Sequence, residues 1–227
     1  HGIVTNNYAL ATDSPTYAHV LRAAGYRTGG FGKFHQHPMP LAVPENLAYL
    51  GFEESVVSED PKWGPYIDWI ARDHAEYLDR ALAMAWGPKP TTPKEQVERW
   101  RKARQEIHRP RAQASDWHLM YPSLLPPELH DTTFLTDCGL DFMRRHLDSG
   151  SDEPFFCQIS YVDPHDPYDP PDPYADMFSA DDMPDPLPAE WMERGNPVLR
   201  NSQTAFHSFD QVAERPEVVR QLRAYFH

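Results

Sequence analysis

Nine residues, Pro154-Phe-Phe-Cys-Gln-Ile-Ser-Tyr-Val162, constrain this chain more than any others. The run is short, apolar and rich in aromatic and β-branched side chains. Such a run has the character of a buried strand in an α/β sheet. A helical pattern precedes it over residues 131–147, with Phe134, Leu135, Cys138, Phe142 and Met143 on one side. The same pairing opens the chain. Ser14-Pro15, then Tyr17, Ala18, Val20, Leu21, Ala24 and Gly25, predict a helix with Ser as N-cap, Pro in the first turn and Gly at C′. Residues 26–31 are a strand candidate, and residues 32–38 follow as a loop. This alternation predicts an α/β fold with a mostly parallel sheet flanked by helices.

The middle of the chain reads as helical. Ile67, Ile70, Ala71, His74, Leu78, Ala81, Leu82 and Ala85 recur at three- and four-residue spacings, which predicts an amphipathic helix with a break. Residues 89–111 carry eight Lys or Arg against three Glu and read as a solvated basic helix within an insertion. From 154 to 197 there are ten prolines, so that stretch is expected to be extended loop. The final residues, 216–227, keep helical spacing with no capping Gly or Asn behind them. The chain also opens at His1 without a Met or a signal-peptide pattern. Both ends therefore suggest a piece of a longer protein.

Charge narrows the function classes. With 21 Lys or Arg against 34 Asp or Glu, the net charge is −13, which disfavours a general nucleic-acid binder. A small anion is still compatible, because a pocket in an acidic protein can be locally positive. No apolar run is long enough for a transmembrane helix. Two cysteines, Cys138 and Cys157, do not make a disulfide scaffold and leave the compartment open.

Two polar clusters follow the two strand candidates. Lys33 and His35 come after the first, and His165 after the second. In open α/β sheets ligands bind at the carboxyl ends of the strands. If the strands are parallel neighbours, the three side chains converge there. A lysine supplies a compact fixed charge, and histidines donate hydrogen bonds and move protons near neutral pH. Together they suit a tetrahedral oxyanion. His35 and His37 also read as a metal pair, but no Cys or carboxylate stands at a familiar zinc spacing nearby.

At these residues the sequence resembles the type I sulfatases of the alkaline phosphatase superfamily. The matching words are His1-Gly2-Ile3, residues 16–28 with their Gly25-Tyr26, and Gly32-Lys33-Phe34-His35. A second block is Phe134-Leu-Thr-Asp137 with residues 154–168, ending Pro164-His165-Asp-Pro-Tyr168. The resemblance thins over about 53–127 and 179–210. It implies an alkaline-phosphatase-like fold and sulfate-ester hydrolysis. It further implies that Lys33 contacts the nucleophile and the sulfate oxygens, offsetting charge in the transition state. His35 would bond the formylglycine hydrate and serve as base. His165 would bind sulfate and protonate the leaving alcohol. A formylglycine and a calcium ion are implied as cofactors.

The departures are specific. No Cys/Ser-x-Pro-x-Arg occurs, nor the early Asp-Asp pair, nor the late Asp-His-Gly with its lysine. The 227 residues thus resemble a partial catalytic domain lying between the two metal-binding halves. It would carry a helical insertion at about 53–127, a Pro-rich loop region at about 163–210 and no metal ligand. Alone it is expected to be inactive. The substrate would be a small-molecule or glycan sulfate ester. A phosphonate or phosphate diester hydrolase of the same superfamily is an alternative, and a non-catalytic oxyanion-binding protein a further one.

Overall fold

The structure, a computed structural model, describes residues 3, 8–37, 45–114, 120–184 and 216–226. The chain forms two compact units. One holds His1–His108 and Leu124–His165, and the other Arg109–Ser123 and Asp166–His227.

The first unit is built on three parallel strands. They are β1 (Arg27–Gly32), β2 (Glu54–Val57) and β3 (Phe155–Ser160), in the order β2-β1-β3. Gly30 lies opposite Ser55 on one side and Gln158 on the other. β1, with sequence Arg-Thr-Gly-Gly-Phe-Gly, carries little side-chain bulk, and both faces exploit this. A Cβ on Gly29 would lie 3.0 Å from the Phe142 ring, and one on Gly30 would lie 2.9 Å from the Phe52 ring. Helix α6 (Asp131–Asp148) covers the Phe142 face, with Leu135 and Phe142 fully buried. Helix α1 (Tyr17–Ala23) lies on the other face, where Ala18, Leu47, Leu50, Phe52 and Val57 form one cluster. Covering both faces is what a parallel sheet requires. The α/β class and the parallel pairing of the two predicted strands are thereby observed.

Local readings needed correction. Thr16, not Ser14, caps α1: its hydroxyl accepts from the His19 N–H, and the His19 ring accepts from the Thr16 N–H. That reciprocal box needs an acceptor three residues after the cap, and Ser14 would find Tyr17 there. Gly32 ends β1 rather than opening a loop. β3 is half-buried along its whole length, because among the described residues it pairs on one side only. β2 had no counterpart in the sequence reading. The last position of the predicted 32–38 loop lies outside the described residues.

The helical reading of 67–85 holds, with its break. Helices α2 (Pro65–Asp73) and α3 (Leu78–Met84) are separated by a 3-10 turn after His74. Helix α4 (Lys94–Ala103) follows, then a π-helical turn at Arg104–His108. Ile67, Ile70, Leu82, Ala85 and Ala103 share a core, and the Trp100 indole donates to the Ala85 carbonyl at 3.1 Å. Lys94, Arg99, Arg101, Lys102 and Arg109 are exposed, whereas Arg104 is half-buried and donates to the Ala83 carbonyl at 3.2 Å. Arg99 pairs with Asp79, and Lys102 with Glu106.

In the second unit, α5 (Arg109–Ala114) places Arg111 over the Tyr121 ring at 5.1 Å. Met120 bridges to Tyr168, and Ser123 donates to the Pro170 carbonyl at 2.9 Å. The described part of the Pro-rich stretch runs through bends and turns rather than an extended path, with short 3-10 turns at Tyr174–Asp176 and Ala180–Asp182. Helix α7 (Pro216–Phe226) completes this unit. Among the described residues no helix is long and apolar enough to cross a membrane.

Candidate functional site

The chain leaves all three strands at the same edge. The Ser58 N–H donates to the Gly32 carbonyl at 3.1 Å, and the Lys33 N–H donates to the Ser160 carbonyl at 2.8 Å. The residues just beyond β1, β2 and β3 are therefore neighbours, at the carboxyl ends where α/β sheets bind ligands.

Lys33 reaches Asp60 with its ammonium. His35 lies on the same carboxylate, with Nδ1 3.9 Å from Asp60 Oδ2. His35 also has a positive φ of 47°. One oxygen of Glu59 accepts the N–H groups of both Phe34 and His35, each at 3.0 Å. Burial pushes the Glu59 carboxyl above its usual range, against the two N–H donors, and Asp60 adds to the push.

His165 sits beyond β3, with its N–H on the Val162 carbonyl at 3.0 Å. Its ring meets Trp86 edge to face at 5.6 Å, and the Trp86 N–H donates to Pro61 at 3.2 Å. So the loop after β2 reaches Lys33 and His35 directly and His165 through Trp86. Two residues before His165, Asp163 lies 3.8 Å from Lys62 Nζ and 3.8 Å from His130 Nδ1, and accepts from the Thr132 hydroxyl at 2.8 Å. Burial pushes the Asp163 carboxyl up. The Lys62 and His130 charges, the Thr132 hydroxyl and His165 outweigh that push and hold it below its usual value.

Sequence reasoning placed Lys33, His35 and His165 at strand ends, and the structure gathers all three at one edge. It missed Glu59, Asp60, Lys62, His130 and Asp131. Glu59, Asp60 and Lys62 are only 2%, 6% and 4% exposed, so this charge run is not a solvated loop. The signal was present: Ser58-Glu-Asp-Pro-Lys62 follows Val56-Val57 just as Lys33 follows β1.

Asp131 opens α6 and accepts from the Ser58 hydroxyl at 2.9 Å. Burial pushes it up to about 6 from an ordinary 3.8; Asp163 reinforces this, while Lys62 and Ser58 oppose it. It therefore holds its proton more tightly folded than unfolded. Its contribution to stability is complete below about pH 4 and declines as the pH rises toward 6. Asp131→Asn keeps an acceptor for Ser58 and removes the buried charge. It is expected to melt higher than wild type at pH 7 and close to wild type at pH 4. A thermal melt showing a lower midpoint at pH 7 contradicts this.

Neither cysteine is prepared as a nucleophile. Burial pushes the Cys138 thiol up to about 11 and the Cys157 thiol above its usual value, whereas reactive thiols are shifted down. Among the described residues no group of three His, Cys, Asp or Glu side chains is placed to hold a metal ion. These residues do not by themselves fit a bound cation.

The chain resembles known proteins in sequence and in fold. The chain is 40% identical over 70 residues to a multifunctional alkaline phosphatase superfamily protein, PehA, of Trinickia caryophylli. It is 41% identical over 66 residues to an arylsulfatase of Clostridium perfringens (strain 13 / Type A). These stretches are 30% and 29% of this chain and 13% of each relative. The phosphonate monoester hydrolase of Agrobacterium radiobacter superposes with a TM-score of 0.59 at 20% identity, over 97% of this chain and 42% of its own. That likeness shows an alkaline-phosphatase-like fold, and the chain spans less than half of that enzyme. A family model, Sulfatase, matches residues 1–225. Because that match runs through nearly every residue and not through one motif alone, the chain belongs to the sulfatase family.

Proposed function

We propose that the protein carrying this chain hydrolyses a small-molecule or glycan sulfate ester, and that Lys33, His35 and His165 line its oxyanion site. The observation that supports the reading is that all three follow the carboxyl ends of paired parallel strands, Lys33 and His35 after β1 and His165 after β3. Lys33 offers a fixed cation to the sulfate oxygens. Asp60 and the β3 carbonyl hold it in place, so little reorganisation is needed as charge builds. His165, packed against Trp86, donates to the sulfate and delivers a proton to the departing alkoxide. His35 takes up a proton when sulfate is released.

The formylglycine and the calcium ion that the resemblance implies belong to the same proposal. Neither thiol of the chain is activated, and the described residues offer no three-ligand set. Other residues of the protein would supply both.

A second reading, phosphonate or phosphate diester hydrolysis, is favoured by the likeness to a phosphonate monoester hydrolase over 97% of the chain. A lysine and two histidines serve either oxyanion. Comparing kcat/KM of the full-length protein on matched aryl sulfate, phosphonate monoester and phosphate diester substrates decides. We expect the sulfate to be preferred. A preference for either phosphorus ester selects the second reading. Turnover of none, with sulfate still bound, leaves a non-catalytic oxyanion-binding protein.

A further inference from the structure

We infer that Glu59 is the positioning residue for His35, an inference that rests on the role proposed above for that histidine. His35 is one of two described residues other than glycine with positive φ. That conformation is unfavourable for an ordinary side chain and persists where its surroundings fix it. Glu59 fixes it here. One carboxylate oxygen takes the N–H groups of residues 34 and 35 together, at 3.0 Å each. Two adjacent N–H groups aimed at one acceptor define the turn, and the turn sets the direction in which the His35 ring leaves the backbone.

Several observations separate this from ordinary packing. Glu59 is 2% exposed, and its other oxygen, Oε2, is buried without a hydrogen-bond partner. Buried polar atoms left unpaired are destabilising. Burial also makes the ionised form of Glu59 costly. A residue selected for stability alone would not combine these features. Its neighbour Asp60 pairs with the Lys33 ammonium and lies 3.9 Å from His35 Nδ1, so consecutive residues of one loop face the backbone and the ring of the same histidine. A glutamine at position 59 keeps the acceptor and removes the charge. An alanine removes both, and an aspartate withdraws the acceptor by one methylene.

The test uses the full-length protein with an aryl sulfate. Wild type, Glu59→Gln, Glu59→Ala, Glu59→Asp and His35→Ala are compared in kcat and KM. Hydrogen–deuterium exchange is read over the peptide containing residues 33–36. Glu59→Ala and Glu59→Asp are expected to lower kcat tenfold or more, with KM within twofold and faster exchange at Phe34 and His35. Glu59→Gln is expected to recover at least a third of wild-type kcat and to restore slow exchange. Wild-type kcat in a folded Glu59→Ala or Glu59→Asp overturns the inference. So does a Glu59→Gln as impaired as Glu59→Ala, which would show that the carboxylate itself is required. If Glu59→Ala does not fold, Glu59→Asp and Glu59→Gln carry the same decision. His35→Ala keeps the two failures apart. Full activity in that variant removes the role of His35, while exchange still reports whether Glu59 holds the turn.

Discussion

Gly32→Ala is expected to leave no folded protein. A Cβ at this position would lie 1.8 Å from the Ser160 carbonyl oxygen and 2.9 Å from its carbon. These are backbone atoms, so no rotamer change relieves the clash. β1 and β3 would have to separate at the point where the Lys33 N–H meets that same carbonyl. The residue also has φ +106°, where a side chain is strained regardless of space. The loss of strand pairing, the exposed core and the strain together exceed about 4–5 kcal/mol, the range reached only by severe single substitutions. Against a typical stability of 5–15 kcal/mol this removes much or all of the margin. Gly25→Ala is the control. It has φ +87° but nothing within 4 Å of its Cβ, so only the conformational term of about 1–2 kcal/mol applies. Soluble yield and denaturant midpoints of the two variants check the prediction. Similar midpoints would mean that the β1–β3 contact gives way easily.

Lys33→Ala is expected to lower kcat/KM for an aryl sulfate about 100- to 1,000-fold, the usual effect of removing one group that stabilises developing oxyanion charge. A second effect adds to it. Asp60 is 6% exposed and loses its cation, leaving a buried carboxylate at the proposed sulfate site. Lys33→Ala with Asp60→Asn is therefore expected to be more active than Lys33→Ala alone. The double-mutant cycle measures that coupling directly. Lys33→Arg is not a rescue, since a planar fork does not replace a compact ammonium at this spacing. Unchanged kcat/KM in Lys33→Ala, with wild-type folding, would remove Lys33 from the site.

The parts legible in the sequence are those whose signal is local. α6 announces itself by helical spacing, β3 by its apolar run and β1 by following a helix that ends at Gly25, and their order gives the parallel sheet. Lys33, His35 and His165 are found because they directly follow those strands. β2 is illegible for a physical reason. Glu54-Ser-Val-Val57 is short and begins with polar residues, and pairing with β1 decides its state. Missing β2 hides Glu59, Asp60 and Lys62, since a charge run beyond an unseen strand reads as solvated surface. Asp131 and His130 are hidden likewise: they look like a polar helix start, and the Ser58 and Asp163 contacts that bury them come from distant segments. The cap of α1 was misplaced because His19 as a capping acceptor shows itself in coordinates, not in propensity.

The strand order has an entropic consequence for how the site comes together. Opposite Gly29 in β1 stand Glu54, 25 residues later, and Cys157, 128 residues later. Loop-closure entropy grows with the logarithm of length, so the second closure is harder by about 1.4 kcal/mol at 25 °C. Lys33 and Asp60 belong to the short closure and His165 to the long one. The cationic half of the site is topologically local. The half bearing His165 depends on the intervening helices α2–α4 having already shortened the path.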